Sequence, residues 1–164
     1  MPTYTAYIRV QRDFLAVRVV ARKGAGGYYE DVPQFAFHTH SKEVVAFGSA
    51  ATPYADARGY DMARAFHHPR LAIHDLEHTF KILRHFLDKA IHRRIPFLRL
   101  HFVVHLLDTW EAGLTDVEKT ALLQVCRDLG AKGVVLCTGT DEMTETEVLD
   151  LTRQMRGNEF YEAT

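Results

Sequence analysis

The chain has 164 residues, 47% of them hydrophobic, and sets 20 basic against 21 acidic side chains for a formal net charge of −1. That length and apolar content make a single domain with a sizeable core, and the near-neutral balance gives no global attraction to nucleic acid or anionic lipid. The opening MPTYTAYIRV has no basic stretch followed by a long apolar run, and no apolar run approaches the roughly 20 residues of a transmembrane helix. The two cysteines, Cys126 and Cys137, lack metal-type spacing, so a reducing cytoplasm is expected.

In chain order, Tyr7 to Val10 is a strand, Gln11, Arg12 and Asp13 interrupt it, and Phe14 to Ala21 resumes with β-branched residues. Two such runs across a tight polar link form a hairpin. A Gly-rich turn at Gly24, Gly26 and Gly27 follows, then a third strand over Phe35–Thr39 and another over Glu43–Phe47, stopped by Gly48. Residues 1–48 therefore make an antiparallel meander. Residues 49–72, with Pro53, Gly59 and Pro69, are an irregular insert.

Residues 73–156 carry strand–helix units. Asp75 is the N-cap of a helix running to His92, with Leu76, Phe80, Leu83, Leu87, Ala90 and Ile91 on its apolar face. Arg99 to Leu106 is a strand with Leu100, Phe102, Val104 and Leu106 on one side. Thr115-Asp116-Val117-Glu118 is a capping box opening a helix to Leu129, whose buried stripe is Val117, Ala121, Leu122, Val125 and Leu129; Gly130 ends it. Gly133 to Cys137 is a fully buried strand, Glu142 to Met155 a last helix, and residues 157–164 a fraying tail. This order predicts an α/β fold: a mixed five-stranded sheet of actin-like or ribonuclease H-like type with helices on both faces.

Three stretches bear a family likeness. Gly113-Leu114-Thr115-Asp116-Val117-Glu118-Lys119, running through Leu129-Gly130-Ala131 into the apolar Gly133–Leu136, resembles a helix start and the following strand in MreB, the bacterial actin-like rod-shape family. Glu43–Gly48 and Ile73–Ala90 are similar to that family's third-strand end and first long helix, so the likeness covers about Phe35 to Leu136, within the N-terminal half of such a protein. The resemblance implies an actin-like fold and a link to the cytoskeleton and cell shape. It also implies ATP held by an Asp-x-Gly-Thr turn in the first hairpin and an acidic Glu-Glu-Pro segment after the second strand–helix unit. Here those positions read Gln11-Arg12-Asp13 and Thr138-Gly139-Thr140. A phosphate cradle needs backbone amides that approach the anion unobstructed, and the first turn has no glycine. The second phosphate loop and the adenosine pocket belong to the half that the likeness does not reach. The expectation is a non-catalytic protein-interaction or assembly module, a pseudo-ATPase without a cofactor, that pairs with itself as a homodimer or with an actin-like cytoskeletal protein.

Other residues bear on other chemistries. A magnesium-dependent ribonuclease H-like nuclease would need converging carboxylates, and only Asp13 and Asp108 fall near the strand ends. His38 and His40 have a chelating spacing on a strand, about 7 Å between Cα atoms, but no third ligand. His74 and His78 flank Asp75 and Glu77 without forming a zinc signature. His78, His85 and His92 repeat every seven residues with Lys81 and Lys89, a polar face able to act as a pH-sensitive partner surface. His101 and His105 share one side of their strand and are expected to be hydrogen-bonded separately beneath a helix. Trp110 and Glu111, in a loop, are partner-anchor candidates together with His78 and His85.

Overall fold

The computed structural model describes residues 3–21, 26–91, 99–108, 114–155 and 160–163. Its centre is β1 (Thr3–Val10), with Ala6, Ile8 and Val10 buried on one side and Thr5 and Tyr7 buried on the other. β1 pairs antiparallel with β2 (Leu15–Val20), which pairs with β3 (Tyr28–Asp31); on its other edge β1 runs parallel to β7 (Arg99–Leu106). Parallel pairing then continues through β8 (Gly133–Thr138) to β9 (Phe160–Ala163). The expected mixed five-stranded sheet is present as β3-β2-β1-β7-β8, and β9 extends it to six.

The alternation of side chains along these strands produces two cores. Ala6, Ile8 and Val10 lie with Phe102, Val104, Leu106, Val134 and Leu136 under α1 (Leu76–Ala90) and α2 (Asp116–Asp128). Tyr7, Val103, Val135 and Cys137 face the other way and are covered by Val148 of α3 (Glu145–Gln154) and by Met155. Helices therefore lie on both faces, as the α/β reading expected.

Several elements differ from expectation. The third strand of the main sheet is β3, next to the Gly-rich turn, and not Phe35–Thr39. That segment, β4 (Gln34–His38), is the centre of a separate three-stranded sheet, flanked by β5 (Val44–Phe47) and β6 (Tyr60–Arg64). β6 lies within the stretch expected to be irregular, after a 3-10 helix over Gly48–Tyr54. The tail contributes β9. Period-2 patterning identifies strands but not the sheet that takes them, and this explains the reassignment. Gly27 shows how tightly β3 is led in: a Cβ there would lie 1.6 Å from the Ala90 carbonyl oxygen at the end of α1.

The local helix signals hold. Asp75 caps α1 by accepting the His78 amide at 2.9 Å, and the Thr115–Glu118 capping box is complete. The buried stripes sit differently. In α1 Leu76 is 49% exposed while Ile82 and Phe86 are fully buried; in α2 Val117 is 79% exposed and Glu118 only 4%. Glu118 turns inward because its carboxylate accepts from the Thr115 amide at 3.0 Å, the Thr115 hydroxyl at 2.7 Å and the Ile73 amide at 3.1 Å, tying α2 to the entry of α1. Those bonds hold its pKa below the usual carboxylate range although burial opposes them. Gly130 ends α2 at φ +94°. Among the described residues no helix is long and apolar enough to cross a membrane.

Phe86 ties α1 to the edge of the main sheet, its ring edge-on to Tyr29 of β3 at 5.1 Å. Phe86→Ala is expected to cost about 3–5 kcal/mol, read as a lower denaturant midpoint at unchanged slope.

Candidate functional site

The parallel strands β1, β7 and β8 end together, and the loops that follow converge on one edge of the sheet. This is where an open α/β sheet places ligands. The first loop is the turn Gln11–Phe14, closed by the Gln11 amide donating to the Phe14 carbonyl at 2.8 Å. The pairing continues past the strand ends, with the Leu107 amide donating to the Val10 carbonyl at 3.0 Å and the Gly139 amide to the Leu106 carbonyl at 3.3 Å. Thr138, Gly139 and Thr140 are exposed there.

The Arg12 amide donates to the Asp108 carboxylate at 2.7 Å. A hydrogen bond to an ionised acceptor is about twice as strong as a neutral one, so a tethered carboxylate already holds the amide that an anion would seek. The Arg12 guanidinium donates to the Pro69 carbonyl at 3.3 Å, and Asp13 faces His67, Oδ1 to Nδ1 3.3 Å, both largely exposed. Asp13 and Asp108, the two acids of the nuclease alternative, are thus each engaged with another group. Among the described residues no three His, Cys, Asp or Glu side chains are grouped to hold a metal ion.

Behind this edge lies a polar link that sequence reading missed. The Met143 amide donates to the Tyr7 hydroxyl at 3.0 Å, and that hydroxyl is 2.9 Å from His105 Nδ1. Burial, helped by Arg9, holds His105 below the ordinary histidine pKa, and its Nδ1 shares a hydrogen bond with the tyrosine hydroxyl. Burial raises the Tyr7 pKa against the opposing Met143 amide. Arg9 pairs with Glu142 at 2.7 Å. Together these contacts fix the loop before α3; Tyr7 and His105 are 2% and 3% exposed, and the pair is a structural fastening. The clue in the sequence was a tyrosine and a histidine on the same side of adjacent strands.

The other candidates scatter. β4 ends at His38, whose ring lies 4.6 Å from that of Tyr60, and His40 is in the following turn, so the two do not share a strand face. His74 precedes α1, with its ring 5.5 Å from that of His68. His78 and His85 are half-buried against the small sheet: His78 stands edge-on to Phe35 at 5.3 Å and His85 stacks on Phe47 at 4.1 Å. The expected polar stripe is therefore largely an internal seam between α1 and the small sheet. His92, Trp110 and Glu111 lie outside the described residues. His105 has the bond expected of it, but His101 Nδ1 is buried with no hydrogen-bond partner among the described residues. Cys126 and Cys137 are free and buried, their thiols pushed up to about 12 and about 11 by desolvation, which makes them inert.

Desolvation by burial holds His74, His85, His101 and His105 below the ordinary histidine value. The unfolded chain therefore takes up protons first as pH falls below about 6.5, and stability falls with it until the folded-state histidines titrate. Urea midpoints are expected to drop between pH 7.5 and pH 5.5. His101→Leu removes both a proton acceptor and a partnerless buried nitrogen, so its midpoint should rise relative to the parent, and rise more at pH 5.5 than at pH 7.5.

No protein-family model matches this sequence, and no curated protein matches it significantly. Solved structures do. The structure is similar to MreB5 of Spiroplasma citri bound to ADP, with a TM-score of 0.59, 18% identity, and coverage of 82% of this chain and 37% of that one. It is equally similar to MreB5 of Spiroplasma citri bound to AMPPNP, with a TM-score of 0.60, 18% identity, and coverage of 82% and 38%. The chain thus spans less than two-fifths of the length of either structure. At this identity the likeness is one of fold: the chain has an actin-like, MreB-type α/β architecture, as the Thr115–Glu118 helix start and the strand after it had implied.

Proposed function

We propose that this chain is a non-catalytic actin-like module that works by protein–protein association in the cytoplasm, pairing with itself or with an actin-like cytoskeletal protein in the service of cell shape. The observation that carries the reading is the 2.7 Å bond from the Arg12 amide to Asp108. An ATP phosphate arriving at the first hairpin would have to displace a carboxylate attached to the neighbouring strand, and would be repelled by it at close range. The turn also passes through the side chains of Gln11, Arg12 and Asp13 where a cradle needs bare backbone. On this reading the chain is a pseudo-ATPase that keeps the scaffold of a nucleotide-binding architecture.

Association has its own support. Leu76 and Val117 are among the few large hydrophobic side chains left exposed, at 49% and 79%. They stand at the starts of α1 and α2, which the Glu118–Ile73 bond holds together. Apolar side chains at one end of a helical layer suit a contact with another protein, and a self-complementary patch closes most simply as a two-fold dimer.

Calorimetry with ATP and magnesium is expected to give no saturable heat up to millimolar nucleotide; micromolar binding would overturn the pseudo-ATPase reading. Sedimentation is expected to show a concentration-dependent dimer, or a complex with a purified actin-like protein, lost in Leu76→Glu/Val117→Glu with folding retained. A chain that stays monomeric and binds no such protein would contradict the association.

A further inference from the structure

The small sheet does not close fully on α1. Between them is a half-open hollow of ≈ 370 Å³, lined by Phe35, Phe37, Lys42, Glu77, His78 and Lys81. Its base is aromatic: Phe35 is 1% exposed, its ring is 5.8 Å from that of Phe37, and His78 stands edge-on beside it. Two ammonium groups stand over that base, Lys42 Nζ 5.4 Å from the centre of the Phe37 ring and Lys81 Nζ 5.8 Å from that of Phe35. Cations held at ring faces are attracted by the aromatic quadrupole and kept at the rim of an apolar surface. Glu77 is bonded to Lys81 at 2.8 Å, which leaves the lining with one net positive charge when its histidine is neutral.

A second observation concerns the backbone. Lys42 has φ +63° and is the only described non-glycine residue with positive φ. It sits in the tight β4–β5 turn, where its amide donates to the His38 carbonyl at 2.9 Å and the His38 amide donates to the Glu43 carbonyl at 2.9 Å. Glycine or asparagine normally fills such a position, because a long side chain there strains the backbone. Strain of this kind is retained where the side chain has a use, and ligand clamps are among the places it gathers. Here the use is to hold a cation over Phe37.

We infer that this hollow binds an acidic peptide segment of a partner protein, seating a carboxylate between Lys42 and Lys81 and an adjacent apolar side chain on the Phe35–Phe37 base. The volume falls within the range of about 300–1,000 Å³ typical of ligand sites, and the open side suits one or two side chains presented by a chain passing over it. Asp75 and Glu77 are already engaged with His78 and Lys81, and the Lys42 ammonium at the rim favours an incoming acid. Glu77 exchanges its bond to Lys81 for water as the incoming carboxylate arrives, which its exposed position permits. The biological role rests on the interaction-module reading, but binding is tested separately from both nucleotide and self-association.

The test uses a fluorescein-labelled heptapeptide of sequence Ser-Gly-Glu-Phe-Asp-Gly-Ser, its Gln/Asn analogue, and a single-stranded oligonucleotide of similar charge, titrated by anisotropy against the full chain. The acidic peptide is expected to bind, to weaken as salt is raised, and to exceed both controls by at least about tenfold, a difference of about 1.4 kcal/mol. Lys42→Gly relieves the strained φ, so the fold should be kept or strengthened while peptide affinity falls about tenfold; Lys81→Gln should fall similarly. Equal binding of the amide analogue or the oligonucleotide, no binding of the acidic peptide at millimolar concentration, or undiminished affinity in a folded Lys42→Gly chain would each overturn the inference.

Discussion

One parallel register holds this molecule together. β1 and β7 pair with Val10 opposite Leu106 and Tyr7 opposite Val103, an offset of 96 residues kept along the whole strand. The offset is set by burial on both faces. In this register Ala6, Ile8 and Val10 share a layer with Phe102, Val104 and Leu106, while Tyr7 shares the opposite layer with Val103. A slip of one residue would place His101, Val103 and His105 against α1 and α2 and turn Phe102 and Val104 toward α3. With each face already filled, that exchange is prohibitive.

The character of the functional edge follows from the same offset. Arg12 and Asp108 are also 96 apart, each two residues past the last registered pair, and the 2.7 Å bond between them is the ladder's continuation by a side chain. The turn is closed by the same geometry that buries the core. The Tyr7–His105–Met143 link lies one layer behind and fixes the loop from β8 into α3. An actin-like scaffold thereby carries a first turn whose Arg12 amide is already bonded from within. A fold does not by itself carry an activity, which is argued from the site.

What was legible in the sequence was local. The cap at Asp75, the capping box at Thr115 and Glu118, and the glycine stop at Gly130 act over a few residues, and each stands where the sequence placed it. The non-local features were hidden. Nothing in Gln34–His38 says that it is the centre of a second sheet, and the polar Tyr28–Asp31 has too little apolar content to announce a strand. Its place in the sheet comes from pairing with β2 and from Tyr29 packing on Phe86. Val117 and Glu118 exchanged roles because a buried amide at Ile73 needed an acceptor more than a valine at the helix start needed cover. At the site, the missing glycine at residues 11–13 was plain, but the Asp108 carboxylate that takes the Arg12 amide became visible only through the register. His78 and His85 look like a polar stripe until the small sheet is laid against them.

Whether Asp108 holds the amide that an incoming phosphate would need is read directly at the Arg12 backbone amide by NMR. Its resonance is expected to be shifted by the hydrogen bond to the carboxylate, displaced in Asp108→Asn, and unmoved by ATP and magnesium. A saturable shift of that amide on adding nucleotide to the unaltered chain would contradict it.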